Sequence, residues 1–135
     1  MSEENVEIVR QVYEAAARRD RATVLALYDP EVELDPSRLQ AVGLFDRVYH
    51  GHDGLRSFFR EWHEAWEGIE YDYDELIDAG ERVISVVTRH GRGRASGAEV
   101  EWPLALVWTI RKGKVIRVVW FPTHADALEA AGLSE

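Results

Sequence analysis

The chain has 135 residues, of which 46% are apolar and 30% are charged, and this composition predicts one soluble domain spanning 1–135. A formal net charge of −9 argues against a nucleic-acid partner, and the absence of cysteine excludes disulfides and thiolate chemistry. No apolar run reaches the roughly 18 residues of a membrane helix, and the acidic start MSEENVE is unlike a signal peptide, so we expect a cytoplasmic protein without a membrane partner.

The first third of the chain has helical periodicity. Apolar residues recur at helix spacing at Val6, Val9, Val12, Tyr13 and Ala16. Ser2 is the expected N-cap. Asp20 is the expected cap of a shorter second helix, which we expect to include Tyr28 and to end at Pro30.

A short strand and the strongest helix follow. The alternation in EVELD predicts a strand over 31–35, a loop is expected from Pro36 to Asp46, and VYHG suggests a second short strand. After Gly51 a helix is predicted, with one apolar stripe formed by Leu55, Phe58, Phe59, Trp62 and Trp66.

The second half of the chain consists mostly of strands. They are predicted at 71–79, 82–91, 100–111 and 115–122, separated by glycine-containing turns, and a last helix is predicted at 125–131. This order indicates an α+β plan in which helices cover one face of a curved antiparallel sheet.

The last two long strands are apolar on both faces, whereas a sheet with one solvated face should alternate. We therefore expect the outer face to be covered by a second copy of the chain. The predicted homodimer interface contains mainly Val107, Val119 and Phe121.

Three segments resemble the nuclear transport factor 2-like superfamily, in its SnoaL-like branch. They are ALYDPEVELDP, YHGHDGLRSFF and GKVIRVVWF, and their order and spacing carry the resemblance over nearly the whole chain. It implies a cone-shaped fold, in which a curved antiparallel sheet wraps around the N-terminal helices and leaves a cavity at one end. Members include ketosteroid isomerase, polyketide cyclases and scytalone dehydratase, and others only bind or assemble.

The resemblance also suggests catalytic residues. In ketosteroid isomerase an aspartate moves a proton while a tyrosine and a protonated aspartate stabilise the oxyanion. By this resemblance, Asp35 corresponds to the base and Tyr13 to the oxyanion tyrosine. The second acid would fall near Leu106, which cannot donate a hydrogen bond, so the three-residue site is incomplete here.

Both candidate catalytic residues also have a purely structural interpretation. Asp35 precedes Pro36 and is an ordinary turn residue in that context. Tyr13 lies on an apolar helix stripe, where a tyrosine usually packs in the core.

Five tryptophans in 135 residues either fill the cone or line a cavity for a flat apolar ligand. His90 ends a strand beside the Arg89, Arg92 and Arg94 cluster, which either receives an anionic ligand or is solvated. The predicted pocket lining comprises Trp62, Trp66, His90, Trp102, Leu106, Trp108 and Trp120.

The spacing of His50, His52 and Asp53 is too weak to indicate a metal site, and no phosphate loop or dinucleotide motif is present, so no cofactor is expected. We predict a small-molecule-binding protein for an apolar ligand that carries a carbonyl group. It is either a cofactor-free isomerase, cyclase or dehydratase, or a non-catalytic carrier or dimerisation module.

Overall fold

The computed structural model describes residues 2–38, 47–68 and 73–132. Within these ranges the chain forms four helices and seven strands. In chain order they are α1 (Ser2–Ala17), α2 (Arg21–Leu27), β1 (Tyr28–Asp35), β2 (Tyr49–His50), α3 (Gly51–Ala65), β3 (Trp66–Glu67), β4 (Glu75–Ala79), β5 (Arg82–Gly93), β6 (Glu99–Arg111), β7 (Lys114–Phe121) and α4 (His124–Ala130).

The strands form one curled sheet in the order β2-β1-β7-β6-β5-β3, and β4 also pairs with β5. All neighbouring strands are antiparallel except β1 and β7, which are parallel. The centre of the sheet is the long β5–β6 hairpin, in register from Arg82 opposite Thr109 to Arg92 opposite Glu99. The predicted α+β class with a curved sheet is confirmed.

Two helices end earlier than the sequence predicts. Asp20 caps α2 as expected, since its carboxylate accepts a hydrogen bond from the backbone N–H of Thr23 at 3.2 Å. The helix nevertheless ends at Leu27, because Tyr28 already pairs with Val115 of β7. In the same way α3 ends at Ala65, and the next residue enters β3.

The start of α3 is fixed against the start of β1. Gly51 has a positive φ of 69°, and a Cβ at this position would lie 3.1 Å from the Pro30 carbonyl oxygen. One residue later, the His52 ring nitrogen Nε2 donates to the Tyr28 carbonyl oxygen at 2.9 Å. These contacts hold the first residue of β1 beside the helix that covers it.

The inner face of the sheet packs on α1, α2 and α3 and contains most of the core. A second, smaller core lies on the outer face. It is formed by Ile84, Ala105, Val107, Val119 and Phe121 together with Ala127 of α4.

The outer core gives another explanation for the apolar residues on which the homodimer was predicted. Val107, Val119 and Phe121 are each buried within a single chain, in a cluster that includes Ala127. The apolar character of this face therefore does not require a second copy, because α4 crosses from the end of β7 and packs on it. The homodimer stays a prediction.

Among the described residues, no helix has the length and apolarity to span a membrane.

Candidate functional site

A cavity of about 60 Å³ lies between the inner face of the sheet and the three N-terminal helices. Its lining is almost entirely apolar and aromatic: Val12, Tyr13, Ala16, Val24, Tyr28, Leu34, Phe58, Phe59, Trp62, Arg89, Leu106, Trp108, Val118 and Trp120. No carboxylate or imidazole belongs to this lining among the described residues. The volume is smaller than the roughly 150 Å³ in which a benzene ring is known to fit.

Two lining residues, Tyr13 and Trp108, share a hydrogen-bond partner, Ser85, which is not itself part of the lining. Ser85 is fully buried on β5, and its hydroxyl lies 2.8 Å from the Tyr13 hydroxyl. The indole N–H of Trp108 donates to the same Ser85 oxygen at 2.9 Å. The ring of Trp108 also contacts Tyr13 edge-on, with centroids 5.7 Å apart. This network fixes the position of the Tyr13 hydroxyl at the cavity.

Tyr28 differs from Tyr13 in the hydrogen bonding of its hydroxyl. It is 4% exposed, and its ring contacts Trp108 edge-on with centroids 6.4 Å apart. Its hydroxyl, however, makes no hydrogen bond with any described residue. Burial, and secondarily the neighbouring Tyr13, raise the pKa of Tyr28 well above its ordinary value, so the phenol stays protonated and is a hydrogen-bond donor.

Arg89 brings a cation to the same cavity. Because strand residues alternate between faces, Val83, Ser85, Val87 and Arg89 all face inward from β5. The Arg89 side chain is only 4% exposed. A guanidinium carries five N–H donors in a planar arrangement, which suits carboxylate and enolate oxygens.

Three aromatic rings close the other end of the cavity. Phe58 stacks on Trp62 with centroids 5.6 Å apart, and both contact Trp120 edge-on at 5.3 and 5.5 Å. The indole N–H of Trp120 is buried and has no hydrogen-bond partner among the described residues. This wall therefore carries a second donor that no described residue satisfies.

Comparison with known families identifies the fold. The family model of the SnoaL-like domain matches residues 9–118, which is most of the chain. The chain belongs to the SnoaL-like domain family. This confirms the resemblance found in the sequence. A search of curated protein sequences found no match.

Solved structures similar to this SnoaL-like domain share its fold over nearly their full length. An NTF2-like protein of unknown function from Burkholderia pseudomallei is 28% identical, with a TM-score of 0.78 and coverage of 93% of this chain and 95% of that one. TerC, co-crystallized with polyporic acid, is 25% identical, with a TM-score of 0.77 and coverage of 96% and 98%. A candidate polyketide cyclase from Pseudomonas putida, 20% identical with a TM-score of 0.71 and coverage of 92% and 95%, shares the fold.

The SnoaL-like domain brings together most of the residues predicted for the pocket. Tyr13, Trp62, Leu106, Trp108 and Trp120 all line the cavity. Trp66 does not belong to the lining. It is half-buried at the start of β3 and contacts Trp62 with ring centroids 6.4 Å apart. Trp102 belongs to β6, and its side chain lies outside what the structure describes.

Asp35 and Tyr13 are not brought together. Val32 and Leu34 face the core from β1, and Leu34 lines the cavity, so the next residue, Asp35, faces the other way. Its carboxylate accepts hydrogen bonds from the backbone N–H of Ser37 at 3.0 Å and from the Ser37 hydroxyl at 2.5 Å. This is the turn chemistry expected of an aspartate before a proline.

His90 also lies away from the cavity, although it was predicted to line it. The alternation that turns Arg89 inward turns His90 outward, and its side chain is exposed. Its ring nitrogen Nδ1 lies 3.1 Å from a Glu101 carboxylate oxygen. His90 therefore belongs to a surface groove that it shares with Glu101, and this groove is separate from the cavity.

Two site residues were missed by sequence reasoning. Tyr28 was assigned to the end of a helix, where its hydroxyl had no expected role, and Ser85 was not singled out. A signal existed for Ser85, since it lies in phase with the apolar residues Val83 and Val87 of the core-facing side of β5. A polar residue in phase with a core face indicates either a buried hydrogen bond or a site.

Proposed function

We propose that this SnoaL-like domain binds one small apolar molecule in the cavity and holds a carbonyl, enol or enolate oxygen of that molecule through Tyr28. One observation carries the proposal. The Tyr28 side chain is 4% exposed, and its hydroxyl is protonated and makes no hydrogen bond with any described residue. A buried donor left unsatisfied costs about 1–3 kcal/mol, which a ligand oxygen recovers.

The other polar groups of the cavity support a ligand that accepts hydrogen bonds. The indole N–H of Trp120 can only donate a hydrogen bond. The guanidinium of Arg89 likewise contains only donor groups and no acceptor atom. No acidic side chain lines the cavity among the described residues, so a ligand that only donates would have few groups to bind. The apolar walls supply affinity, and the donors supply orientation.

The comparisons support a ligand of this kind. The family relationship is compatible with small-molecule binding, and TerC, at 25% identity, was co-crystallized with an acid, polyporic acid. An acidic, oxygen-bearing ligand would match the donor groups of this cavity.

A catalytic role is the second candidate function, favoured by Tyr13. If Ser85 donates to Tyr13 while it accepts from Trp108, the Tyr13 hydroxyl is oriented to donate to a developing oxyanion. A cofactor-free isomerase, cyclase or dehydratase also needs a base, and Asp35 remains the proposed one. It faces away from the cavity, and it would have both to turn inward and to leave its hydrogen bonds with Ser37 to reach a ligand. Binding without turnover therefore agrees better with the geometry.

The test compares two aromatic probes of similar shape, which enter the 60 Å³ cavity only if its lining side chains move apart. Tryptophan fluorescence is recorded during titration with acetophenone, which carries a carbonyl oxygen, and with ethylbenzene, which does not. The wild-type protein should bind acetophenone more tightly. Tyr28→Phe should weaken acetophenone binding by about tenfold, the equivalent of one hydrogen bond, and leave ethylbenzene binding unchanged.

Tyr49→Phe is the matched control. Tyr49 is equally buried, but its hydroxyl donates to Glu61 at 2.7 Å and it does not line the cavity. This variant should bind both probes as the wild type does. Equal loss of both probes in Tyr28→Phe, or no binding of either probe by the wild type, would contradict the proposal. Loss of turnover in Asp35→Asn with binding intact would instead establish the catalytic role.

A further inference from the structure

A second cavity of about 70 Å³ lies beside the first, at the junction of α1, α2 and α3. Ala16, Val24 and Phe59 line both cavities, so these three side chains form the partition between them. Phe59 is the largest of the three and is half-buried. Movement of this one ring would join the two spaces, and the inner cavity alone is too small for an aromatic ligand.

The rim of this outer cavity is basic, although the whole chain is acidic. Arg19 and Arg21 belong to the rim, and neither forms an ion pair with any described residue. Asp20, between them, also lines the cavity, and hydrogen bonds from Thr23 lower the pKa of its carboxyl, so it offsets one of the two positive charges and leaves the rim with a net positive charge. Two arginines at one opening of a protein with a formal net charge of −9 form a local positive field that attracts small anions.

His63 lies in the same field as these arginines. It lines the outer cavity beside the arginines. Burial first, and then the charges of Arg21, Arg19 and Arg94, lower the pKa of His63 below its ordinary value of 6.5. Burial and the neighbouring arginines therefore both disfavour the protonated imidazole at this cavity.

We infer that the outer cavity is the entrance to the ligand site, that Phe59 is its gate, and that Arg19 and Arg21 select an apolar monoanion, such as an aromatic carboxylate or an enolate. This inference rests on the proposed function, because it names the class and the route of the ligand that the inner cavity holds. The arginines act on the rate of entry, and the inner donors act on the affinity.

The experiment separates charge from shape. Stopped-flow tryptophan fluorescence measures the association rate of benzoate, an anion, and of benzamide, its neutral analogue. In the double variant Arg19→Gln/Arg21→Gln, the association rate of benzoate should fall by about tenfold and lose most of its salt dependence, because steering is electrostatic. The rate for benzamide should not change.

The matched control is the double variant Arg111→Gln/Lys112→Gln in the β6–β7 turn. It removes the same two charges from exposed residues that line neither cavity, and Lys112 shares with Arg19 a positive φ, 53° against 61°. It should leave both association rates near the wild-type values. An equal fall of the benzoate rate in both double variants would overturn the inference, since only net charge would then matter.

Phe59→Ala tests the gate. Removal of the ring should raise the association and dissociation rates of both probes together, while Phe59→Trp should lower both. Unchanged rates in both variants would overturn the gate. The failure of this inference differs from that of the proposed function. Normal equilibrium binding with unaltered rates in these variants refutes the entrance alone, whereas no binding of either probe by the wild type refutes both.

Discussion

The two faces of the sheet are both apolar, yet they are built differently. The outer face meets α4 through a continuous apolar cluster that contains Ile84 and Ala127, and the buried polar side chains among the described residues lie elsewhere. The inner face contains Ser85 and Arg89 in phase with its apolar residues, and it leaves a cavity. A face that only stabilises the fold can be closed completely. The face that keeps unsatisfied donors and empty space is the one suited to a ligand.

The largest expected effect is on the outer face. Ile84 is fully buried, so Ile84→Ala should lower the free energy of unfolding by about 3 kcal/mol through lost burial and a new cavity. Urea unfolding measures this loss, and acetophenone binding should not change. Ile116→Ala, at a half-buried position of β7, is the control and should cost much less. A loss below about 1 kcal/mol for Ile84→Ala would mean that α4 does not close this face tightly.

The same unfolding experiment tests the predicted homodimer. If a second copy also covers the outer face, the unfolding midpoint must rise with protein concentration, because association stabilises the folded state. If α4 alone closes the face, the midpoint is constant. A constant midpoint together with a monomer in sedimentation would exclude the dimer.

On the inner face, the next largest effect on stability is expected from the loss of the hydrogen-bonded hydroxyl of Ser85. Ser85→Ala removes the partner of both the Tyr13 hydroxyl and the Trp108 indole N–H. Two buried groups then each lose a hydrogen bond, and we expect the free energy of unfolding to fall by about 2 kcal/mol. Thr88→Ala is the control. Thr88 lies on the same strand as Ser85, and its hydroxyl makes an exposed hydrogen bond with Asp74, so its removal should cost far less. Equal costs for the two variants would show that the buried network contributes nothing to stability.

Tyr28→Phe should have almost no effect on the stability of the ligand-free protein. Its hydroxyl has no hydrogen bond to any described residue, so its removal relieves an unsatisfied group. The free energy of unfolding should stay constant or rise by a few tenths of a kcal/mol, while ligand affinity falls. Tyr13→Phe is the comparison, since it breaks the bond with Ser85 and should destabilise. A clear destabilisation by Tyr28→Phe would show that its hydroxyl has a structural partner.

The sequence predicted most of the elements because their patterns are local. Helix periodicity gave α1 and α3, and turn residues gave the hairpin of β5 and β6. The errors at element ends were caused by long-range pairing. Tyr28 leaves its helix because it pairs with Val115, which follows it by most of the length of the chain. No local pattern reports such a partner.

The candidate site was only partly predictable, for a related reason. The lining by Trp108 and Trp120 follows from period 2 along two strands that were recognised as strands. Which face of a strand meets the helices is decided by the fold as a whole. For this reason the sequence placed His90 at the pocket, whereas the structure places Arg89 there. The partition between the two cavities depends on how side chains of three helices pack together, and a single sequence does not record this packing.

The smallest expected effect is on the pH dependence at the outer cavity. Because the folded pKa of His63 lies below 6.5, the unfolded chain binds more protons in the range just below 6.5, and stability should be lost as the pH falls through that range. In Arg21→Gln the pKa of His63 should move part of the way back toward 6.5, since burial remains while one positive charge is gone. An NMR titration of the imidazole measures this, with Arg111→Gln, at an exposed position that does not line the outer cavity, as the control. An unchanged His63 pKa in Arg21→Gln would mean that the charge of Arg21 has no effect at the outer cavity. It would contradict the description of this cavity as a basic entrance in an acidic protein.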